Sequence, residues 1–195
     1  MGFTEGVHAD LMREAIAVEA GGQRALLSGD AEAAVPALRQ AADLYRASWE
    51  AAPPASYGRL IGVLKASILA GDARAAADYA TGQIPDDATS PPASYARAIT
   101  ALVDDDDATA RTAAEHMRAG SPAFVRAADA ITALVDRDDE SYTNAIAAIA
   151  DDFAARDEHL TGVAIADTAL MLERLAAPRG MASSVTSPLL PAAGT

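Results

Sequence analysis

Cysteine is absent from this 195-residue chain, and among its fifteen basic residues Lys65 is the only lysine. Without cysteine there can be no disulfide, thiolate zinc site, iron–sulfur cluster or thiol nucleophile. Aromatic residues make up only 5% of the chain, which argues against sheets, whose surfaces favour β-branched and aromatic side chains. No apolar run approaches the ~18 residues that span a bilayer. The opening Met1-Gly2-Phe3-Thr4-Glu5-Gly6 has no basic region leading into an apolar core, so it does not read as a secretory signal. It also lacks the Ser or Thr that follows a myristoylated glycine. These absences predict a cytoplasmic protein.

Alanine, leucine, isoleucine and valine dominate what is present. Alanine is the best helix former and loses no side-chain entropy on ordering, so an Ala-rich, aromatic-poor core suits closely packed helices. A chain of this length buries roughly 70% of its unfolded surface. Acids outnumber bases by 28 to 15, a formal charge of −13. That charge makes nucleic acid and anionic membrane poor partners. Two readings of the acidity compete. One is adaptation to a salt-rich cytoplasm, where a short Debye length removes most mutual repulsion among surface carboxylates. The other is a functional acidic face that meets a basic partner.

Internal repetition organises the chain. Ala98-Ile99-Thr100-Ala101-Leu102-Val103-Asp104 recurs identically as Ala130-Ile131-Thr132-Ala133-Leu134-Val135-Asp136. An equal step back finds a degenerate copy, Ala66-Ser67-Ile68-Leu69-Ala70-Gly71-Asp72, and Ala25-Leu26-Leu27-Ser28-Gly29-Asp30 lies off the strict period. Pro53-Pro54-Ala55-Ser56-Tyr57 resembles Pro91-Pro92-Ala93-Ser94-Tyr95. Each unit reads as helix, tight turn, helix, with the turn Asp capping the second helix. Helices are expected over residues 7–28, 31–51, 56–70, 73–83, 93–103, 108–119, 122–135, 140–155 and 159–177, punctuated by prolines and Gly120. Gly21-Gly22 is expected to split or kink the first helix. The last helix, apolar around most of its circumference, is expected to be buried, with Asp157, Glu158 and His159 at its start. Residues 1–177 form one domain in this reading and 178–195 an extended tail, whose Leu189-Leu190 pair could fold back on a hydrophobic end.

Hairpins of about 34 residues with Gly-Asp turns (Gly29-Asp30, Gly71-Asp72) and closing prolines (Pro53, Pro85) resemble tetratricopeptide repeats over residues 20–155. The Trp-Leu-Gly-Tyr spacing of that family's first helix is missing. The C-terminal Arg179-Gly180-Met181 and Ser187-Pro188-Leu189-Leu190-Pro191 are faintly similar to helical immunity proteins that neutralise bacterial toxins.

Candidate chemistry is sparse. Asp104-Asp105-Asp106-Asp107 suggests a calcium loop, but Ala108 and Thr109 stand where that loop needs a ligand and a glycine. A solvated turn is the better reading, there and at Asp136-Arg137-Asp138-Asp139-Glu140. His8, His116 and His159 have no second histidine at metal-binding spacing, so no metal and no cofactor are expected. Nucleophile motifs are missing, and Gly21-Gly22 follows no strand that would make it a phosphate loop. A buried polar group of His159, Asp167 and Thr168 is conceivable, against the plainer reading of an Asp bonded to a neighbouring helix. Tyr45, Trp49, Tyr57, Tyr79 and Tyr95 could line a concave surface and grip a peptide, or simply form core.

The expectation is an all-α protein: an α–α superhelix of about four antiparallel hairpins plus a buried C-terminal capping helix. It is read as a non-enzymatic scaffold binding a protein or peptide on its concave face, by analogy of fold. The alternative is an acidic inhibitor that neutralises a basic enzyme. A site assembled only in three dimensions, including one that senses a small molecule inside the superhelix, stays open, as does a homodimer.

Overall fold

The computed structural model describes residues 6–192 and is all-helical, with no strand among those residues. The reading of Met1–Gly6 as non-secretory, and the end of the expected tail at residues 193–195, fall outside the described residues except at Gly6. The helices are α1 (Val7–Leu27), α2 (Ala31–Ala51), α3 (Tyr57–Ala70), α4 (Ala73–Thr81), α5 (Pro91–Val103), α6 (Asp107–Met117), α7 (Pro122–Asp136), α8 (Asp139–Ala154) and α9 (Asp167–Ala176). Among these described helices, none is long and apolar enough to cross a membrane.

The first eight helices pair as four hairpins, and the four hairpin turns share one geometry. In each, a left-handed residue (Gly29, Gly71, Asp105, Arg137) follows the first helix. The amide after it bonds back five residues, from Asp30 to Ala25, Asp72 to Ser67, Asp106 to Ala101 and Asp138 to Ala133, at 2.8–3.0 Å. These bonds satisfy carbonyls that the helix end leaves without partners. The turns correct the register of the repeat. Asp72 is equivalent to Asp106, thirty-four residues on, and not to Asp104 as the sequence copy suggested. The two identical heptapeptides are in structural register.

Aspartates cap three of the following helices. Asp30 accepts from the Ala33 amide, Asp106 from Thr109 and Asp138 from Ser141, each at 3.0 Å. In the four-aspartate run the cap is Asp106, since α6 opens at Asp107, whose carboxylate meets Arg179. Asp72 does not cap either. Its carboxylate takes Arg39 through two hydrogen bonds of 2.6 and 3.0 Å. That pair begins a ladder between neighbouring hairpins: Arg39 reaches Asp72, Arg74 reaches Asp104 at 2.8 Å, and Arg111 reaches Asp136. In each rung, an arginine of the even helix ties its hairpin to the turn acid of the next.

α3, α5 and α7 pack side by side, whereas α2, α4 and α6 pack against the odd helices before and after them. Glycines permit the closest approaches. A Cβ on Gly22 would lie 2.7 Å from Leu38, and one on Gly62 would lie 2.8 Å from the Tyr45 ring. α1 runs unbroken through Gly21-Gly22, so the helix is not split there, and Gly22 serves packing against α2.

The C-terminal segment differs most from expectation. The last helix starts at Asp167, not at residue 159. Gly162 is left-handed (φ 69°), and residues 157–166 are irregular, which lets Val163 and Ile165 turn into the core from non-helical backbone. α9 is buried as expected, through Ala169, Leu170, Met171, Leu172, Leu175 and Ala176. It does not cap the end of the array. It lies across the odd-helix row, against α3 on one side and α7 and α8 on the other. The tail folds back over it. The Ala166 amide donates to the Leu189 carbonyl and the Ser183 amide to Glu173, both at 2.9 Å, and Met181 is buried. Arg179, only 4% exposed, fastens this segment to the α5–α6 turn through Asp105, Asp107 and the Leu102 carbonyl.

Candidate functional site

Between the odd-helix row and residues 156–168, which comprise the irregular segment and the start of α9, lies a recess of about 280 Å³. Its floor comes from α3 and α5, through Ile61, Lys65 and Tyr95, and one wall is Phe124 of α7. His159, Leu160, Val163 and Ile165 roof it from the C-terminal segment.

Lys65, the chain's single lysine, sits in the apolar helix α3. Its ammonium meets Asp167 at 2.6 Å and Thr168 at 3.4 Å, and both members of the ion pair are about 15% exposed. Burial alone would lower the lysine pKa. The Asp167 charge beside it, helped by Tyr95 and Glu19, more than offsets that and leaves it above its ordinary value. Asp167 is available to this lysine because it opens α9, which the fold lays against α3.

Behind the pair lies a second buried network. Glu19, 4% exposed, accepts from the Tyr45 hydroxyl at 2.5 Å and from Gln23 at 3.1 Å. Burial, and then the nearby Asp167 charge, raise the Glu19 pKa against the opposing pull of Lys65. Burial and Glu19 likewise push the Tyr45 hydroxyl upward, so it stays protonated. Gln23 in turn accepts from Thr161, joining α1 to the irregular segment.

Two polar atoms at the recess are left over. The Tyr95 hydroxyl, on a residue only 6% exposed, has no hydrogen bond of acceptable geometry, although Thr168 lies beside it. The His159 Nδ1 atom is also buried without a partner. The His159 ring stacks on Phe153 with centroids 6.3 Å apart, and the Arg156 guanidinium sits 3.7 Å from the same Phe153 ring. Leu160, at the mouth, is 69% exposed.

The structure thus brings His159, Asp167 and Thr168 to one place, though not through the shared helix face the sequence suggested. Among the five aromatic candidates it separates the roles. Tyr95 lines the recess. Tyr45 lies behind it on Glu19. Tyr57 is core, its ring 5.5 Å from that of Trp49, whose indole N–H donates to Gln83. Tyr79 lies in a groove of about 530 Å³ along α2, α3 and α4, under Arg46 at 4.0 Å. The arginines of that groove are all engaged: Arg39 by Asp72, Arg46 by Glu50, and Arg74 by Asp78 and Asp104.

Sequence reasoning missed Lys65, Glu19 and Gln23 as site residues. The signal was there for Lys65, a solitary lysine inside the most apolar helix. Glu19 and Gln23 are four apart on a helix and read as ordinary surface polar residues until the C-terminal segment covers them. Among the described residues no three His, Asp or Glu side chains converge as metal ligands. No family model matches the chain, no curated protein is detectably similar to it, and no solved structure matches its fold.

Proposed function

We propose that the protein is a non-enzymatic helical-repeat scaffold, an α–α superhelix of tetratricopeptide-like hairpins that takes a protein or peptide partner on its inner, concave side. The inner side is the row of odd helices, and repeated turns and the arginine–aspartate ladder make that row continuous. The chain's own α9 and tail occupy much of it. The observation that carries the proposal is the recess they leave, a concavity of about 280 Å³ that gathers the Lys65–Asp167 pair and Thr168 among Ile61, Phe124, Val163 and Ile165, with Leu160 exposed at its mouth. The partner then enters by one anchoring side chain and does not lie along the whole groove.

The same chemistry speaks against catalysis. A lysine held protonated by an aspartate is a poor nucleophile or base, since amine catalysis needs a lowered pKa. Selection of peptides from a random displayed library tests the proposal, with the Leu160→Arg protein as counter-target. Enriched peptides should bind the native protein and lose binding to the variant. Peptides that bind both equally would place the partner surface elsewhere.

A second reading, an inhibitor of a basic enzyme, has its own support in the hairpin turns. They gather exposed acids on one edge, Asp104, Asp105 and Asp106 beside Asp136, Asp138, Asp139 and Glu140. Binding there would weaken steeply as salt screens the exposed charges, whereas the recess would be nearly indifferent to it.

A further inference from the structure

The balance of charge around the recess points to a ligand of its own, beyond any protein partner. We infer that the recess binds a small free organic anion, a carboxylate carried on an apolar body of one ring or a short branched chain.

Leaving His159 aside, the charged side chains that line the recess are Lys65, Asp167 and Arg156. Lys65 and Asp167 meet at 2.6 Å and cancel. That leaves Arg156, whose carboxylate partner is shared. Asp152 takes Arg156 on one oxygen at 2.6 Å and Arg126 on the other. Two guanidiniums on a single carboxylate leave one positive charge over. In a chain of formal charge −13, a concavity with a positive balance is an exception. Asp157 and Glu158 follow Arg156 in the chain, but they are exposed to screening solvent and do not line the recess. Glu19 does not line it either, and burial raises its pKa, which lessens its charge.

The spare charge is also held in place. The Arg156 guanidinium lies 3.7 Å from the centre of the Phe153 ring, and Phe153 lines the recess. Asp152 engages that guanidinium through Nη2, and its other N–H groups suit a planar carboxylate. With its side chain 36% exposed, Arg156 is within reach of a molecule arriving from solvent. The uncharged polar lining does not decide the ligand's charge, because Gln23, Thr161 and Thr168 are already bonded within the chain. Ile61, Phe124, Val163 and Ile165 supply apolar wall, and Leu160 stands exposed at the mouth. About 280 Å³ lies just below the usual range for ligand pockets, so the apolar body is small. A cation would find opposite charge only in Asp167, which Lys65 already holds.

Titration calorimetry on the full chain, at one fixed ionic strength, tests this with benzoate. Benzamide has nearly the same shape without the charge, benzylamine carries the opposite charge, and acetate has the charge without the body. Benzoate should bind about tenfold more tightly than benzamide or acetate, as a charge-assisted hydrogen bond allows. Benzylamine should bind more weakly than benzamide. Arg156→Gln should bring benzoate down to the level of benzamide. Neither Arg126 nor Asp152 lines the recess, so their variants test the charge balance itself. Arg126→Gln leaves Asp152 to Arg156 alone and should weaken benzoate. Asp152→Asn frees both arginines and should strengthen it. Arg126 and Asp152 join α7 to α8, so melting curves must first show each variant folded at the titration temperature; Arg156→Gln decides the matter if either is not. No binding of benzoate, no preference over benzamide, a preference that survives Arg156→Gln, or weaker binding in a folded Asp152→Asn protein would each overturn the inference. Peptide selection against Leu160→Arg is read separately, so the protein-binding reading and this one fail separately.

Discussion

Glu19 shows how one buried side chain can set a pH response. Its native pKa is raised, first by burial and then by Asp167, while Lys65, Tyr45 and Gln23 pull the other way. A group whose pKa is raised on folding contributes stability that is complete below its ordinary value of 4.5 and is lost as pH climbs through the native value. Glu19→Gln removes that titration. The melting temperatures of variant and native protein should therefore diverge in the variant's favour as pH rises from 4 to 8, within about the limits of one titrating group. A difference that stays constant across that range would show Glu19 to be unperturbed. Glycines give a paired test at the same scale. A Cβ at Gly62 would lie 2.8 Å from a Tyr45 ring that is 1% exposed and tied by its hydroxyl to Glu19. Gly62→Ala should cost about 2 kcal/mol in urea unfolding. Gly21, with nothing within 4 Å, is an exposed helix-interior glycine, so Gly21→Ala should instead stabilise by roughly 0.5–1 kcal/mol. Equal effects at the two positions would mean that the α2–α3 packing is misread.

The elements differ in how far local sequence determines them. Eight helices follow from apolar periodicity, proline punctuation and turn residues, because those signals act over a few residues. The ninth starts eight residues later than the apolar pattern predicts. Val163 and Ile165 continue an apolar pattern that suits a helix, yet left-handed Gly162 and the contact of Thr161 with Gln23 hold them in irregular backbone. That contact joins positions far apart in the chain, so no local window reveals it. The candidate site was legible to the same limited degree. The pattern of the last helix points to His159, Asp167 and Thr168 as a buried polar group, but Lys65, Glu19 and Tyr95 reach them only when α9 crosses the odd-helix row. Three of the five aromatics read as a possible peptide grip are buried, which is where large rings contribute most to the core. Arg179 holds this crossing segment in place. Arg179→Met should cost about 2 kcal/mol, as expected for hydrogen bonds to a charged group, and should open the stretch 181–192 to limited proteolysis. An unchanged cleavage pattern would show that packing of Met181 and Leu190 suffices without the arginine.

At the scale of the molecule, the −13 charge calls for an account of its own. The arginine–aspartate ladder spends part of it on joining hairpins, and the exposed pairs in that ladder are each worth little. If the remaining acids are an adaptation to salt, the helical circular dichroism signal and the melting temperature should both rise from dilute buffer to multimolar KCl. A fold indifferent to salt would instead favour the acidic edge as a surface for a basic partner. The central claim, that partners meet the inner side at the recess, is tested most directly by photo-crosslinking in cells that make the protein. A benzophenone amino acid is placed at Leu160, on the recess mouth, or at Glu115, on the exposed side of α6. A discrete adduct from position 160, absent from position 115, is the predicted result. Adducts from position 115 alone, or from both positions alike, would contradict it.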